Sequence, residues 1–184
     1  MTDRTTYLLV DGENIDATLG TSILGRRPHP EERPRWDRVL RFAEDTFDQP
    51  VRGLFFLAAG HELPMTFVQA LLAIGFRPIP LSGAPGEKVV DIAIQRTLEA
   101  LVDRPADVML ASHDGDFLPQ LEAVCDGRRV AVLGFDEFRN GGFAALKDQG
   151  LEFYDLETHV RAFNTLLPRV RIIPIEDFDP LAFL

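Results

Sequence analysis

Short apolar runs rich in strand formers alternate with stretches of helical periodicity along almost the whole chain, and that alternation leaves few folds open. Residues 6–11 (TYLLVD), 51–59 (VRGLFFLAA), 76–81 (FRPIPL), 107–112 (DVMLAS) and 129–135 (RVAVLGF) read as buried strands, with 152–156 as a weaker sixth. Between them, Trp36, Val39, Leu40, Ala43 and Phe47 mark one helical face. Met65, Val68, Leu71 and Leu72 mark a second, with Gly75 as its stop. Val89, Ile92, Ala93, Leu98 and Leu101 mark a third, and Leu118, Leu121 and Val124 a fourth that Asp126-Gly127 closes. No Asn-Gly or Asp-Gly hairpin joins two adjacent strands. The pattern therefore predicts an α/β fold: a parallel sheet with right-handed crossovers and helices on both faces. The connection from residue 17 to about 34, rich in Gly, Pro and Arg, reads as a long loop.

At 184 residues the chain fits a single domain. We place that domain at residues 1–160 and read 161–184 as an extended tail, because the stretch from Pro168 to Leu184 carries three prolines among alternating apolar residues. Such a tail packs on its own subunit or on a neighbour, and the second case makes a homodimer. One cysteine, Cys125, excludes an internal disulfide framework and any multi-cysteine metal site, and reads as a small core residue on a helix face. No apolar run approaches the ~20 residues of a membrane helix, and residues 1–20 lack the pattern of a signal peptide, so the expected location is the cytoplasm. The net charge of −10 argues against indiscriminate coating of nucleic acid. The charge is unevenly spread, however. Residues 26–41 hold Arg26, Arg27, Arg33, Arg35, Arg38 and Arg41 against Glu31, Glu32 and Asp37, a net of +3 that leaves −13 for the rest.

In an open parallel sheet, ligands bind beyond the carboxyl ends of the strands. The first strand ends in Asp11, followed by Asn14; the fourth ends in Ser112, followed by His113, Asp114, Gly115 and Asp116; the helix beginning near Lys88 carries Asp91 in its first turn. Three separate segments thus deliver four carboxylates to one rim. Each alone has an ordinary use, as a turn, a cap or a complement to a helix dipole. Together they repel unless protons or cations intervene. Carboxylate oxygens are the hard ligands Mg²⁺ or Mn²⁺ prefer, and such a site suits metal-assisted phosphoryl chemistry.

The stretches YLLVDGENI, KVVDIAI and DVMLASHDGDFLPQLEAVCDGRRVAVLGF resemble the NYN domain family, in the LabA-like branch of the PIN-like nucleases. The family pattern of Asp-x-x-Asn, Lys-x-x-Asp and Ser-x-Asp-x-Asp-Phe reads here as Asp11 and Asn14, Lys88 and Asp91, and Ser112, Asp114, Asp116 and Phe117, with Pro119 and Gly127 following. The resemblance covers roughly residues 6–135. It implies a three-layer α/β/α, PIN-like fold and a metal-dependent ribonuclease. Asp11, Asp91, Asp114 and Asp116 would hold Mg²⁺ or Mn²⁺, directly or through water. Asn14 would orient a ligand, Ser112 would support the acidic loop, and Lys88 would contact phosphate. Two positions depart from the family. Gln95, Arg96 and Thr97 stand where many members carry a further Asp, and Leu151 precedes Glu152-Phe153 where a late acidic residue is usual.

Of the remaining candidates, the arginines at 26–41 suit an RNA backbone, with Arg26, Arg27, Arg35 and Arg38 as contacts. Arg35, Arg38 and Arg41 are expected on one solvated helix face. Trp36 falls in the apolar periodicity and so belongs to the core, although its ring is of a kind that stacks on bases. His29, His61, His113 and His159 show no metal-binding spacing; His113 is close enough to the rim to be weighed as a proton donor. Hydrolysis of RNA is the leading reading, and a catalytically inactive RNA- or protein-binding module is the alternative. A haloacid-dehalogenase-type phosphatase ranks below both, since its first strand ends in Asp-x-Asp where this one has Asp11-Gly12-Glu13. No nucleotide-binding glycine loop is present.

Overall fold

A computed structural model describes residues 4–60, 62–170 and 172–184; His61 and Arg171 lie outside the described residues. The chain runs β1 (Thr5–Asp11), α1 (Gly12–Ala17), α2 (Trp36–Phe47), β2 (Val51–Ala58), α3 (Met65–Ile74) and β3 (Arg77–Leu81). It continues through α4 (Val89–Leu101), β4 (Ala106–Ala111), α5 (Leu118–Val124), β5 (Val130–Gly134) and β6 (Leu151–Asp155). All six strands are parallel, in the order β3-β2-β1-β4-β5-β6. The chain winds outward from β1 to β3, then crosses back to lay β4 against the other edge of β1. The order therefore reverses between β1 and β4, and ligand crevices open at such a reversal.

Side-chain alternation along the strands builds two cores. Leu8 and Val10 of β1, Phe55 of β2 and Met109 of β4 face α1, α2 and α3, whose Ile15, Val39, Ala43 and Leu71 complete this core. Leu9 of β1 and Val108 and Leu110 of β4 face α4 and α5, where they meet Ile94, Leu98, Phe117 and Leu121. A strand covered on both faces has no polar side, which is why these runs read as continuously apolar. Trp36 is a core residue as expected, with its ring edge-on to Phe55 at 5.0 Å.

The structure departs from the sequence reading in four places. First, α1 does not stop at residue 17: Thr18–Leu24 continue it as a π-helix, and the chain leaves the helical path at Gly25, whose φ is +68°. The irregular connection is therefore shorter, spanning about residues 25–35, with one 3₁₀ turn at Pro30–Glu32. Second, a 3₁₀ helix at Gly141–Gln149 covers the end of the second core with Phe143 and Leu146, ahead of β6. Third, Cys125 caps the end of α5 half-buried, not inside a helix face. Fourth, the chain after β6 stays on the body at first: Ala162 and Leu167 are buried, and the Ala162 carbonyl accepts from the Arg35 N–H at 2.7 Å. The exposed, mainly extended part begins later and includes short 3₁₀ turns at Ile175–Asp177 and Pro180–Phe183. Among the described residues no helix is long and apolar enough to cross a membrane.

One arginine fixes the far end of α4, whose near end carries Lys88 and Asp91. The Arg128 guanidinium donates to the carbonyls of Leu101 (2.7 Å), Val102 (2.8 Å), Arg104 (3.2 Å) and Ala106 (3.2 Å), and to the Asp126 carboxylate at 2.7–2.8 Å. It thus satisfies carbonyls that the end of a helix leaves without partners. Arg128→Met keeps the aliphatic stem and removes those donors. It is expected to lower stability by about 2–4 kcal/mol in urea unfolding. A loss under a few tenths would show that the carbonyls are as well served by water.

Candidate metal centre at the β1–β4 crevice

The register of the parallel sheet sets the site. Val10 pairs with Ala111, so the next residues, Asp11 and Ser112, stand side by side at the carboxyl ends of adjacent strands. Ser112 Oγ donates to Asp11 Oδ2 at 2.9 Å and accepts from the Asp114 N–H at 3.2 Å. One hydroxyl therefore joins the first acidic segment to the second. Asp114 in turn caps the 3₁₀ turn Gly115–Phe117, its Oδ1 accepting from the Asp116 N–H at 2.9 Å. Gly12 has no room for a side chain: a Cβ there would meet the Phe55 ring at 2.5 Å. Its absence lets α1 start flush against β2.

Asp91, Asp114 and Asp116 converge, with one ligand oxygen from each within 4.8 Å of the others. Asp11 lies behind this trio, 3 % exposed and engaged with Ser112 and the Asn14 N–H (3.4 Å). Burial pushes its carboxyl up to about 6; Ser112 and the Asn14 N–H pull it partly back, while Asp91 and Asp114 add to the rise. Asp91 is also raised, by burial first and then by Asp114, with Lys88 opposing. Glu13 adds to the field at Asp91 and accepts from the Ala58 N–H at 3.3 Å. Sequence reasoning passed over Glu13, although it stands two residues past the strand-end Asp.

The opposite edge of the sheet treats its acids differently. There Asp107 meets Arg4 at 3.2 Å, Glu152 meets Arg129 at 2.7 Å and Asp126 meets Arg128. In the crevice, among the described residues, none of the four aspartates is paired with an arginine. Their nearest cation is Lys88, with Nζ 3.6 Å from Asp116 and 3.9 Å from Asp91 on a side chain 72 % exposed. An all-oxygen donor set without a fixed counter-ion suits a hard divalent cation. Among the described residues no group of three or more potential ligands besides Asp91, Asp114 and Asp116 comes together.

His113 serves the site without facing it. Its ring is buried, with Nε2 accepting from the Phe135 N–H at 2.7 Å, which leaves the proton on Nδ1. Nδ1 then lies 2.9 Å from Asn14 Oδ1, which also accepts from the His113 N–H at 2.8 Å. The amide of Asn14 is thereby oriented, with its NH₂ as the free donor end. Burial, aided by the Arg139 guanidinium, holds His113 down at about 4, with Asp155 opposing. A ring that is neutral at pH 7 with both nitrogens engaged is not a proton donor to substrate.

Gln95, at the position where a further Asp was sought, donates from Nε2 to the Asp116 carbonyl at 3.0 Å and ties the acidic loop to α4. At the end of β6, Asp155 is buried and acidic; burial pushes it up, but the N–H donors of Asp136, Thr158 and Glu157 outweigh that and lower it. It caps turns.

Most of the arginines have partners of their own. Arg26 is held by Glu32 at 2.5 Å, and Arg33 by Asp16 at 2.8 Å. Arg35 is 3.5 Å from Asp37, and Arg27 is exposed. Arg38 is not on a solvated face: it donates to the carbonyls of Arg161 (3.2 Å) and Phe163 (3.1 Å) and to Asn164 Oδ1 (2.7 Å), because the chain after β6 folds back over α2.

The raised Asp11 makes a signed prediction for the metal-free protein. Between pH ~4 and ~6 the folded state keeps a proton that the unfolded chain has released. Stability therefore falls as pH rises through that window, by up to about 3 kcal/mol. His113 acts in the opposite direction: the unfolded chain binds a proton below about 6.5 that the folded ring refuses until about 4. The two slopes offset in wild type, so the difference between variants is the informative quantity. In EDTA, Asp11→Asn is expected to gain on wild type from about pH 4 to about 6 and to hold that gain above it, read by urea unfolding. A difference that does not change with pH would place the Asp11 carboxyl in its ordinary range.

The family profile of the NYN domain matches residues 5–157. No curated protein matches the chain. Among solved structures, a protein of unknown function, VPA0982, from Vibrio parahaemolyticus RIMD 2210633 is similar over 85 % of this chain and 95 % of its own, at 19 % identity and a TM-score of 0.65. At that identity the likeness concerns the fold, and it agrees with the parallel three-layer architecture. With six parallel strands and an acidic crevice at the β1–β4 reversal, the chain belongs to the NYN domain family, whose fold is nuclease-like.

Proposed function

We propose that the protein is a metal-dependent nuclease that hydrolyses RNA phosphodiester bonds at the β1–β4 crevice. The observation that carries this reading is the convergence of Asp91, Asp114 and Asp116 within 4.8 Å, beyond the strand ends and without arginine partners. The three carboxylates would hold Mg²⁺ or Mn²⁺, with Asp11 behind them reaching it through water. A divalent ion so held supplies the charge that activates a water molecule and stabilises the leaving oxygen.

The chain's own residues do the positioning. Ser112 keeps Asp11 and Asp114 in register through its single hydroxyl. Asn14, its carbonyl oxygen occupied by His113, offers its NH₂ to a phosphate oxygen or water. Lys88 is exposed and flexible enough to leave the carboxylates for a substrate phosphate. Arg27 and Arg35 are the exposed members of the basic stretch able to meet an RNA backbone. Attack by water on phosphorus leaves 5′-phosphate and 3′-hydroxyl ends.

A second reading, a silent RNA- or protein-binding module, draws on two observations: Gln95 where a further carboxylate is usual, and a lysine already standing over the acids. One comparison separates them. Wild type is expected to bind Mn²⁺ by calorimetry and to cleave single-stranded RNA, with cleavage abolished by EDTA. Asp114→Asn is expected to lose about two orders of magnitude or more in rate with an unchanged melting curve. Metal binding without cleavage, or neither, favours the silent module. Cleavage that survives EDTA or Asp114→Asn overturns the proposed mechanism.

A further inference from the structure

Paired residues of neighbouring parallel strands point to one face of the sheet. Tyr7 pairs with Arg52, and Leu9 with Leu54 and through it with Arg77, so both rows face α4. Arg52 and Arg77 therefore share that face near the amino ends of β2 and β3, ~7 Å apart along the strand direction. Ile94, Leu98 and Leu101 of α4 cover the neighbouring part of the sheet, but Ala100 is too small to close over the two arginines. A hollow of about 490 Å³ opens there, floored by Leu54 and Ile79 and rimmed by Arg52, Arg77 and, just past the end of α4, Arg104. Among the described residues no Asp or Glu lines it; Asp103, beside Arg104 in the chain, is not part of its wall. All three arginines are exposed, and among the described residues none is in an ion pair. Elsewhere in this chain of net charge −10, Arg128, Arg129, Arg139 and Arg169 each meet a carboxylate. Unpartnered guanidiniums around one hollow repel each other, and their planar forks match phosphate oxygens.

We propose that this hollow binds the phosphate backbone of an RNA strand that extends from the acidic crevice, an inference that takes its substrate from the nuclease reading above. The two places share one helix. Asp91 lies in the first turn of α4 and Ala100 lines the hollow, so they are ~14 Å apart along the helix axis. The way between them is free of acid. Of the α4 residues that are not buried, Ile92, Ala93 and Thr97 are neutral and Arg96 is exposed and basic. Glu99 is turned toward α5, where it accepts from Gln120 at 3.4 Å, and β3 along the other side carries no acid. The lining also says which part of a nucleotide it takes. Apart from the arginines its polar side chains are the hydroxyls of Tyr7 and Thr97, and Thr97 Oγ already donates to the Ala93 carbonyl at 2.7 Å. It holds no Asn, Gln or carboxylate to read a base edge, so the contact is with backbone and is indifferent to sequence. Three positive charges at the far end of the helix supply attraction for a polyanion that an acidic chain otherwise lacks.

The test is binding of a fluorescently labelled single-stranded RNA oligonucleotide to the full chain in EDTA, followed by anisotropy over a range of salt concentrations. Arg52→Gln, Arg77→Gln and Arg104→Gln together are expected to weaken binding about tenfold or more, and to lower the slope of log affinity against log salt by about 2. Arg77→Gln alone is expected to lower that slope by about 0.7, and it decides the matter if the triple variant does not fold. Affinity and slope equal to wild type overturn the proposal. A nucleoside monophosphate that binds wild type as tightly as the oligonucleotide, and loses that binding in the triple variant, overturns it too, because the hollow is then a site for a small phosphorylated ligand. With Mn²⁺ present, the triple variant is expected to raise KM for RNA cleavage about tenfold and to leave kcat unchanged; a fall in kcat at constant KM overturns the proposal. A wild type that binds RNA through these arginines in EDTA but cleaves none with Mn²⁺ supports the backbone site and overturns the nuclease reading alone.

Discussion

The hydroxyl of Ser112 is the joint on which the acidic crevice turns. It is fully buried, donates to Asp11 and accepts from the Asp114 N–H, so it spans the reversal between β1 and β4 with two bonds. Parallel strands place their carboxyl ends at one rim, but they do not by themselves say how the loops beyond should stand. Ser112 and the cap of Asp114 on the Asp116 N–H decide that here. From the other side, Gln95 holds the Asp116 carbonyl, and the sixfold grip of Arg128 secures the far end of α4. The carboxylates are thus brought together by bonds to backbone and hydroxyl, and not by neutralising partners. Repulsion among them persists in the fold, and it contributes to the rise of Asp11 and Asp91.

The fold was largely legible because its strands are covered on both faces. Each of the six apolar runs became a strand, and the four apolar faces that began at Trp36, Met65, Val89 and Leu118 became helices. Legibility failed where local sequence and tertiary packing disagree. Thr18–Leu24 carries glycine and polar residues and reads as loop, yet it stays helical in the wider π form. Gly20 makes that possible, because a Cβ there would press on the Arg26 carbonyl at 3.1 Å. Such a contact has no trace in periodicity. The return of residues 161–167 over α2 was equally hidden, since it depends on Arg38 meeting carbonyls more than 120 residues away.

The candidate site divides in the same way. Asp91, Asp114 and Asp116 were readable because strand ends of one sheet must share a rim, and the structure brings them together. Position alone did not show that Asp11 would stand behind them, almost fully buried, with both oxygens engaged. His113 was the clearest misreading of role. Next to Asp114 it looks like a proton donor, but strand alternation turns its ring inward beneath Gly134, where a Cβ would meet it at 2.7 Å. The histidine therefore acts on the rim through Asn14. Gln95 likewise reads as a missing acid but works as a donor to the loop.

The acids of the crevice differ from the other acids described above in what neutralises them. Asp107, Asp126 and Glu152 are locked to arginines, whereas the cation beside Asp91 and Asp116 in the crevice is the mobile Lys88. A lysine held at 3.6–3.9 Å on an exposed stem is a loose counter-ion, and salt and solvent screen it strongly. Divalent charge entering among the carboxylates would remove the reason for Lys88 to stay. The same entry lowers the pull of Asp11 toward protonation, because the field that raises it comes partly from Asp91 and Asp114. A divalent ion held there would thus act on Lys88 and Asp11 together, releasing the one and favouring the charged form of the other.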